Sequence, residues 1–345
     1  MDRQDFVLHR VAFAGLPYAA LRALDGERGS AIGWRQGMLG QARLLRACAR
    51  RAASEGAAAS AAQYFRWAGV AYHSATLGPD LSALDGLVRV SRLRHLAVAA
   101  YRRALQQDGG AKLVTLALGA HRLHGYCRLP EGEPRGVVLL LNGLDSLCEV
   151  ELHAFASGLL ARGMATLSLD LPARFSASGP RDMQAERWLP ALHEWLAGHG
   201  LGGQPLGVFA VSFGGYLGAR LLAGNAGLCA GLLISPPAWI EDKHRQHPYF
   251  SRMFSWSFGQ PGEAELDALA ASVRLDALAP PQAACRVYAM TEDAMFDARH
   301  TEAYAAWGQG RVEVKTVAAE HVGTSSFYRW LPGAFDWFAE RFAHA

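Results

Sequence analysis

From Lys112 onward, short apolar runs alternate with longer amphipathic stretches, and that rhythm leaves few folds open. "GVVLLLNG" (from Gly136), "MATLSLDLP" (from Met164), "LGVFAVS" (from Leu206), "LCAGLLISPP" (from Leu228) and "CRVYAM" (from Cys285) are brief and almost free of charge. Runs of that kind suit strands buried on both faces. Between them lie "EVELHAFASGLLARG", "AERWLPALHEWLAGHG", "FGGYLGARLLAG" and "DARHTEAYAAWGQG", whose apolar residues recur at helical spacing. "KLVTLALGA" and "HRLHGYCRLP" predict a strand pair ahead of them, "RVEVKTVA" a last strand, and "FYRWLPGAFDWFAERF" a closing helix. Such alternation predicts an α/β fold: a mostly parallel central sheet with helices on both faces.

Residues 1–110 have a different character. They are rich in Ala, Leu and Arg, and no strand pattern interrupts them. "AIGWRQGMLGQARLLRACARRAASEG" predicts one helix. "AAQYFRWAGVAYHSATLG" predicts another, stopped at Gly78-Pro79, and "ALDGLVRVSRLRHLAVAAYRRALQQDGG" a third, stopped at Gly109-Gly110. Two regions are therefore expected, a helical one over 1–110 and an α/β one over 111–345. Residues 238–278 break the rhythm of the second. They occupy the place of a single strand–helix step and carry His, Tyr, Phe, Trp and Met at close intervals. A lid insertion over a pocket has this form.

Composition narrows the function classes. Apolar residues make up 51% of the chain, enough for a large core. The formal charge is only +3, and the Arg clusters at Arg43–Arg51 and Arg89–Arg103 read as solvated helix faces, so no nucleic-acid partner is expected. The five cysteines are widely spaced with no C-x-x-C, which suggests thiols in a reducing compartment. The N-terminal stretch is broken by charges at Asp2, Arg3, Asp5 and Arg10 and does not read as a signal peptide. No apolar run reaches membrane-spanning length. A soluble cytoplasmic protein is expected, and a homodimer is compatible with it.

The chemistry concentrates at "VFAVSFGGY". Ser212 lies between a predicted strand and a predicted helix, where a sharp turn lifts a hydroxyl clear of a sheet. Gly214 sits where a side chain would collide with the turn, although Ala210 stands where a G-x-S-x-G pattern has its first glycine. A serine hydroxyl needs a base, and the base an orienting acid. After "CRVYAM" come Glu292 and Asp293; after "RVEVKTVA" comes His321. Asp293 is the preferred acid, with Glu292 and Asp297 as alternatives. The backbone N–H groups of Phe213 and of Leu144, in "NGLDS", are the expected oxyanion donors. Asp145 in the same loop is either a helix N-cap or a carboxylate facing substrate.

His244 and His247 stand three apart without a third ligand in view, Cys148 reads as structural, and no phosphate-binding or dinucleotide motif appears. No metal or cofactor is expected.

These motifs together carry a resemblance. "GVVLLLNGLDSLCEVELHAFASGLLARGMATLSLDLP", "VFAVSFGGYLGAR", "TED" and "EHVG" resemble a branch of the α/β-hydrolase superfamily. That branch holds the fermentation-respiration-switch-like esterases, the 2,6-dihydroxypseudooxynicotine hydrolase and fungal hydrolases that shorten polyketide pigments. The resemblance implies an N-terminal helical cap and a triad of Ser212, Asp293 and His321. It also implies a catalytic part for Asp145, whose position is acidic in the family. The chain departs from the family at Ala210 and at "DLPARFSASG", where Arg174 and Phe175 bring bulk. The reaction expected is acyl-enzyme hydrolysis of a C–C bond in a β-dicarbonyl, or of an ester or thioester, in a small-molecule substrate that is large, flat and apolar, aromatic or polyketide-like. A lyase or cyclase using the same pocket and a non-catalytic binding protein on a hydrolase core are the alternatives.

Overall fold

The computed structural model describes residues 3–22, 24, 31–77, 86–171, 183–224 and 227–345. The predicted helix stop at Gly78-Pro79 and the bulky pair Arg174 and Phe175 lie outside them.

The chain forms two compact units. The first joins Met1–Lys112 with the short stretch Glu149–Ala154. Its helices are α1 (Arg3–Phe13), α2 (Tyr18–Arg22), α3 (Ala31–Ser54), α4 (Ala58–Ser74) and α5 (Leu87–Asp108). Small residues let α3, α4 and α5 pack closely, with Phe65 buried among Ala49, Ala62 and Ala104. The α5 helix ends where Gly109 adopts a left-handed conformation, φ 64°, as the sequence predicts. The sequence gives no hint that Glu149–Ala154 would join this unit. Side chains explain it: the Glu151 carboxylate accepts from Arg10 Nε at 2.8 Å and lies 3.0 Å from His73 Nε2, while Tyr101 Oη lies 2.8 Å from His153 Nδ1. The predicted helix over 149–163 accordingly begins as a wide π-helical turn, Cys148–Leu152, and becomes regular only in α6 (His153–Leu160).

The second unit is built on an eight-stranded sheet: β1 (Lys112–Leu118), β2 (His121–Arg128), β3 (Val137–Leu141), β4 (Ala165–Leu169), β5 (Leu206–Val211), β6 (Leu228–Ile234), β7 (Ala284–Met290) and β8 (Val312–Val317). They lie in the order β1-β2-β4-β3-β5-β6-β7-β8. The pairs β4–β3, β3–β5, β5–β6, β6–β7 and β7–β8 are parallel, and β2 runs antiparallel to β4. Every residue of β3, β4 and β5 is buried, as their unbroken apolar sequences require; β8, at the edge, alternates half-buried and exposed.

From β3 the chain steps to β4 on one side and then returns to β5 on the other. Right-handed crossovers put α6 on one face of the sheet, and α7 (Leu189–Gly198) and α8 (Phe213–Ala223) on the opposite face. Pro190 sits in the first turn of α7, where its missing N–H costs nothing. The strand order reverses beside β3, which opens a crevice at the carboxyl ends of β3 and β5.

Residues 238–278 leave the sheet after β6 and fold as α9 (Glu241–Gln246), α10 (Pro248–Ser257) and α11 (Glu263–Ala271) before β7. The excursion is tied at its base by a bridge between Trp239 and Arg274, and Leu275 N–H donates to the Ala238 carbonyl. After β7 come α12 (Ala298–Trp307) and, after β8, the closing α13 (Phe327–Ala343).

Candidate active site

Because β5 ends at Val211 and α8 starts at Phe213, Ser212 alone turns the chain. It does so at φ 53° and ψ −125°, a conformation that an L-residue holds only when its surroundings impose it. The turn drives the start of α8 against the end of β3. A Cβ on Gly214 would lie 2.5 Å from the Asn142 carbonyl oxygen, so only glycine fits there. Ser212 thereby presents its hydroxyl at the crevice, at the N-terminus of an eleven-residue helix whose dipole favours negative charge.

His321 opens the turn that follows β8. Its Nε2 lies 2.9 Å from Ser212 Oγ, and its Nδ1 lies 2.7 Å from Asp293 Oδ2. Asp293, in the loop after β7, is buried, and its Oδ1 accepts from the N–H groups of Met295 at 2.8 Å and Phe296 at 2.9 Å. Burial pushes this carboxyl up, but the His321 ring and the two N–H donors outweigh it, leaving it below the usual carboxylate range. Asp293 is thus an anion at neutral pH, aimed at the imidazole. The other candidate acids lie elsewhere. Glu292 is exposed, and Asp297 caps α12, accepting from Arg299 N–H at 3.1 Å.

The "NGLDS" loop runs beside the serine: a Cβ on Gly143 would lie 3.2 Å from Ser212 Cβ. Leu144 is buried in it. Phe213 is the first residue of α8, and the first N–H groups of a helix have no partner within the helix. Asp145, which follows Leu144, accepts a 2.5 Å hydrogen bond from the Tyr249 hydroxyl of α10.

Two residues near this group carry no motif in the sequence. Tyr249 is one; the aromatic density of 238–278 was the sole signal for it. Ser235, just after β6, is the other. At φ 45° it places its hydroxyl to accept from Val322 N–H at 3.0 Å, beside His321. Val322 itself stands at φ 71°, so the histidine turn is held strained from both sides. Beneath Asp293 lies a cavity with room for one water, lined in part by Ser235, Met290, Phe296, His300 and Tyr304.

His244 and His247 engage other residues of the excursion. His244 lies 3.1 Å from Asp267 and 3.3 Å from Ser251, and His247 caps α10 by accepting from Phe250 N–H. Cys148 is buried, and all five cysteines are thiols. Among the described residues, no helix is long and apolar enough to cross a membrane.

A hydroxyl bonded to an imidazole, itself bonded to a buried carboxylate, at the strand–helix turn of a parallel sheet defines an α/β hydrolase. Residues 19–192, half of the chain, match the family of FrsA-like esterases, and the chain belongs to that family. No curated protein matches it in sequence. Among solved structures, the 2,6-dihydroxy-pseudo-oxynicotine hydrolase is 19% identical, covers 97% of this chain and 95% of its own, and superposes with a TM-score of 0.84. Wild-type AbyA5 is 14% identical over 98% of this chain and 93% of its own, with a TM-score of 0.71. Est1E from Butyrivibrio proteoclasticus is 15% identical over 67% and 99%, with a TM-score of 0.52. At such identities these likenesses speak to the fold.

Proposed function

We propose that the protein is a serine hydrolase working through an acyl-enzyme, with Ser212 as nucleophile, His321 as general base and Asp293 as its orienting partner. The observation that carries this reading is the unbroken line of hydrogen bonds, 2.9 Å and 2.7 Å, from Ser212 through His321 to Asp293. His321 Nε2 takes the serine proton as Oγ attacks a substrate carbonyl. The resulting oxyanion rests on the N–H groups of Phe213 and Leu144. The tetrahedral intermediate collapses, His321 gives its proton to the leaving group, and water deprotonated by His321 then releases the acid.

The leaving group fixes the reaction's name. An alcohol or thiol makes the enzyme an esterase or thioesterase. In a β-dicarbonyl, the C–C bond to the acyl carbon breaks, its electron pair passes into the neighbouring carbonyl as an enolate, and the His321 proton quenches it. Asp145 beside the oxyanion loop suits a substrate hydroxyl or enol as hydrogen-bond donor. We favour a flat, apolar small molecule, aromatic or polyketide-like, as substrate. The similar hydrolase is named for a dihydroxylated nicotine derivative, and residues 238–278 bring aromatic side chains to the oxyanion loop. The thiols fit a reducing compartment.

The test is covalent labelling. A fluorophosphonate probe followed by peptide mass spectrometry should place one adduct on Ser212, absent in Ser212→Ala. A folded protein left unlabelled would sink the serine reading. Incubation with aryl esters and with β-diketones then separates ester from C–C hydrolysis.

A further inference from the structure

Helix α10 and the residue after it touch both Phe213, next to Ser212, and the Leu144–Asp145 loop. On one side Phe254, and Phe258 just past its end, pack edgewise on Phe213, each with centroids 6.0 Å apart. On the other side two hydroxyls meet consecutive residues of the oxyanion loop. Ser257 Oγ–H donates to the Leu144 carbonyl at 2.8 Å, and Tyr249 Oη–H donates to Asp145 Oδ2 at 2.5 Å. Ser257 is fully buried, so its bond is shielded from water.

These bonds act on the aim of one N–H. The Gly143 carbonyl accepts from Ser146 N–H at 3.3 Å. In a trans peptide the C=O and N–H point opposite ways, so holding the Gly143 oxygen sets the direction of the Leu144 N–H. Ser257 holds the next peptide plane through the Leu144 carbonyl. Tyr249 then anchors the side chain that follows. Leu144 is therefore fixed at both of its peptide units, and one of the two clamps comes from α10.

We propose that Tyr249 and Ser257 are positioning residues, through which α10 holds the Leu144–Asp145 backbone where the Leu144 N–H meets the oxyanion. The proposal rests on the serine-hydrolase reading above. The negative charge exists only in the transition state, so a misaimed donor lowers kcat and leaves ground-state binding almost unchanged.

The experiment compares full-length wild type, Tyr249→Phe, Ser257→Ala and Ser212→Ala on a p-nitrophenyl acyl ester, with thermal unfolding of each. Tyr249→Phe keeps the ring and its packing, so it stays informative even if Ser257→Ala disturbs the buried helix. The expected result is a kcat lowered roughly tenfold in each positioning variant, with KM within about twofold of wild type. Tyr249→Phe should add little in an Asp145→Ala background, where the acceptor for its hydroxyl is already gone. A raised KM with unchanged kcat would make α10 a binding wall and overturn the proposal. Wild-type kcat in both variants, with Ser212→Ala inactive, would overturn it while leaving the serine reading intact. Turnover by Ser212→Ala would overturn both.

Discussion

Ala210 and Gly218 share one space between β5 and α8. A Cβ on Gly218 would come within 3.0 Å of the Ala210 methyl and 2.9 Å of Leu233 Cδ2. The alanine that replaces the first glycine of the elbow pattern is accommodated because the helix supplies a glycine opposite it. Gly218→Ala should therefore destabilise the protein by about 1–3 kcal/mol through overpacking, read as a lower denaturant midpoint. The double variant Ala210→Gly, Gly218→Ala should recover part of that loss. A midpoint for Gly218→Ala at or above wild type would show that the crossing has room to spare.

Asp293→Asn replaces the anion beside His321 with an amide of the same shape. It should lower kcat by about 10³–10⁴-fold, because the imidazole loses both its tautomer and the partner for its charged form. Fluorophosphonate labelling of Ser212 should slow in parallel. Near-normal turnover would point to another carboxylate, and Glu292 would be the next residue to change. Since Asp293 titrates below the ordinary carboxylate range, it stays ionised through the neutral range and contributes no inflection there.

His300 makes stability depend on acid. It is buried, accepts from Ala238 N–H at 3.1 Å and stacks on Trp239, and burial pushes its pKa down to about 4 from an ordinary 6.5. The unfolded chain binds this proton more readily than the folded one. Its contribution is therefore complete above pH 6.5 and is lost as pH falls from 6.5 through about 4, amounting to about 3 kcal/mol. His300→Asn keeps an acceptor for Ala238 and should flatten that part of the stability–pH curve. An unchanged slope between pH 6.5 and 4 would assign it to other groups.

In the helical unit, Glu151 is buried between Arg10 and His73. Arg10→Met removes the permanent positive charge and leaves a buried carboxylate poorly compensated. The expected loss is about 3–5 kcal/mol at neutral pH, measured by denaturant unfolding. A loss under about 1 kcal/mol would mean that water reaches Glu151 once Arg10 is gone.

What the sequence revealed, and what it hid, follows from the range of the interactions. Strands β3 to β7 and their helices were legible because each is a local pattern of burial. That Ser212 and His321 would lie together was legible because the turns that present them follow strands in a fixed order, and their 2.9 Å contact is the geometry on which their proposed roles rest. The acid was ambiguous among Glu292, Asp293 and Asp297, since adjacent carboxylates look alike until the loop decides which one turns inward. Here the Met295 and Phe296 N–H groups hold Asp293 toward His321. The partner of Tyr249 could not be read: the aromatic density of 238–278 marks the segment, but no motif pairs its hydroxyl with Asp145, 104 residues away. The same is true of Ser235, 87 residues from Val322, and of Glu151, whose bonds to Arg10 and His73 carry Glu149–Ala154 into the helical unit.

The bridge between Trp239 and Arg274 has a consequence for descent as well as for packing. Tyr216, in α8, donates to the Ser272 carbonyl and accepts from Arg274 N–H, so the excursion leaves and rejoins the sheet-and-helix framework at one fastened point. Once a loop's ends are joined, lengthening it adds only slowly to its entropic cost. Insertions and deletions can then accumulate past Phe258, around α11, without shifting β6, β7, the serine turn or the α10 side chains that meet the oxyanion loop. That stretch can vary in length and sequence while the strands and the Ser212–His321–Asp293 geometry stay as they are.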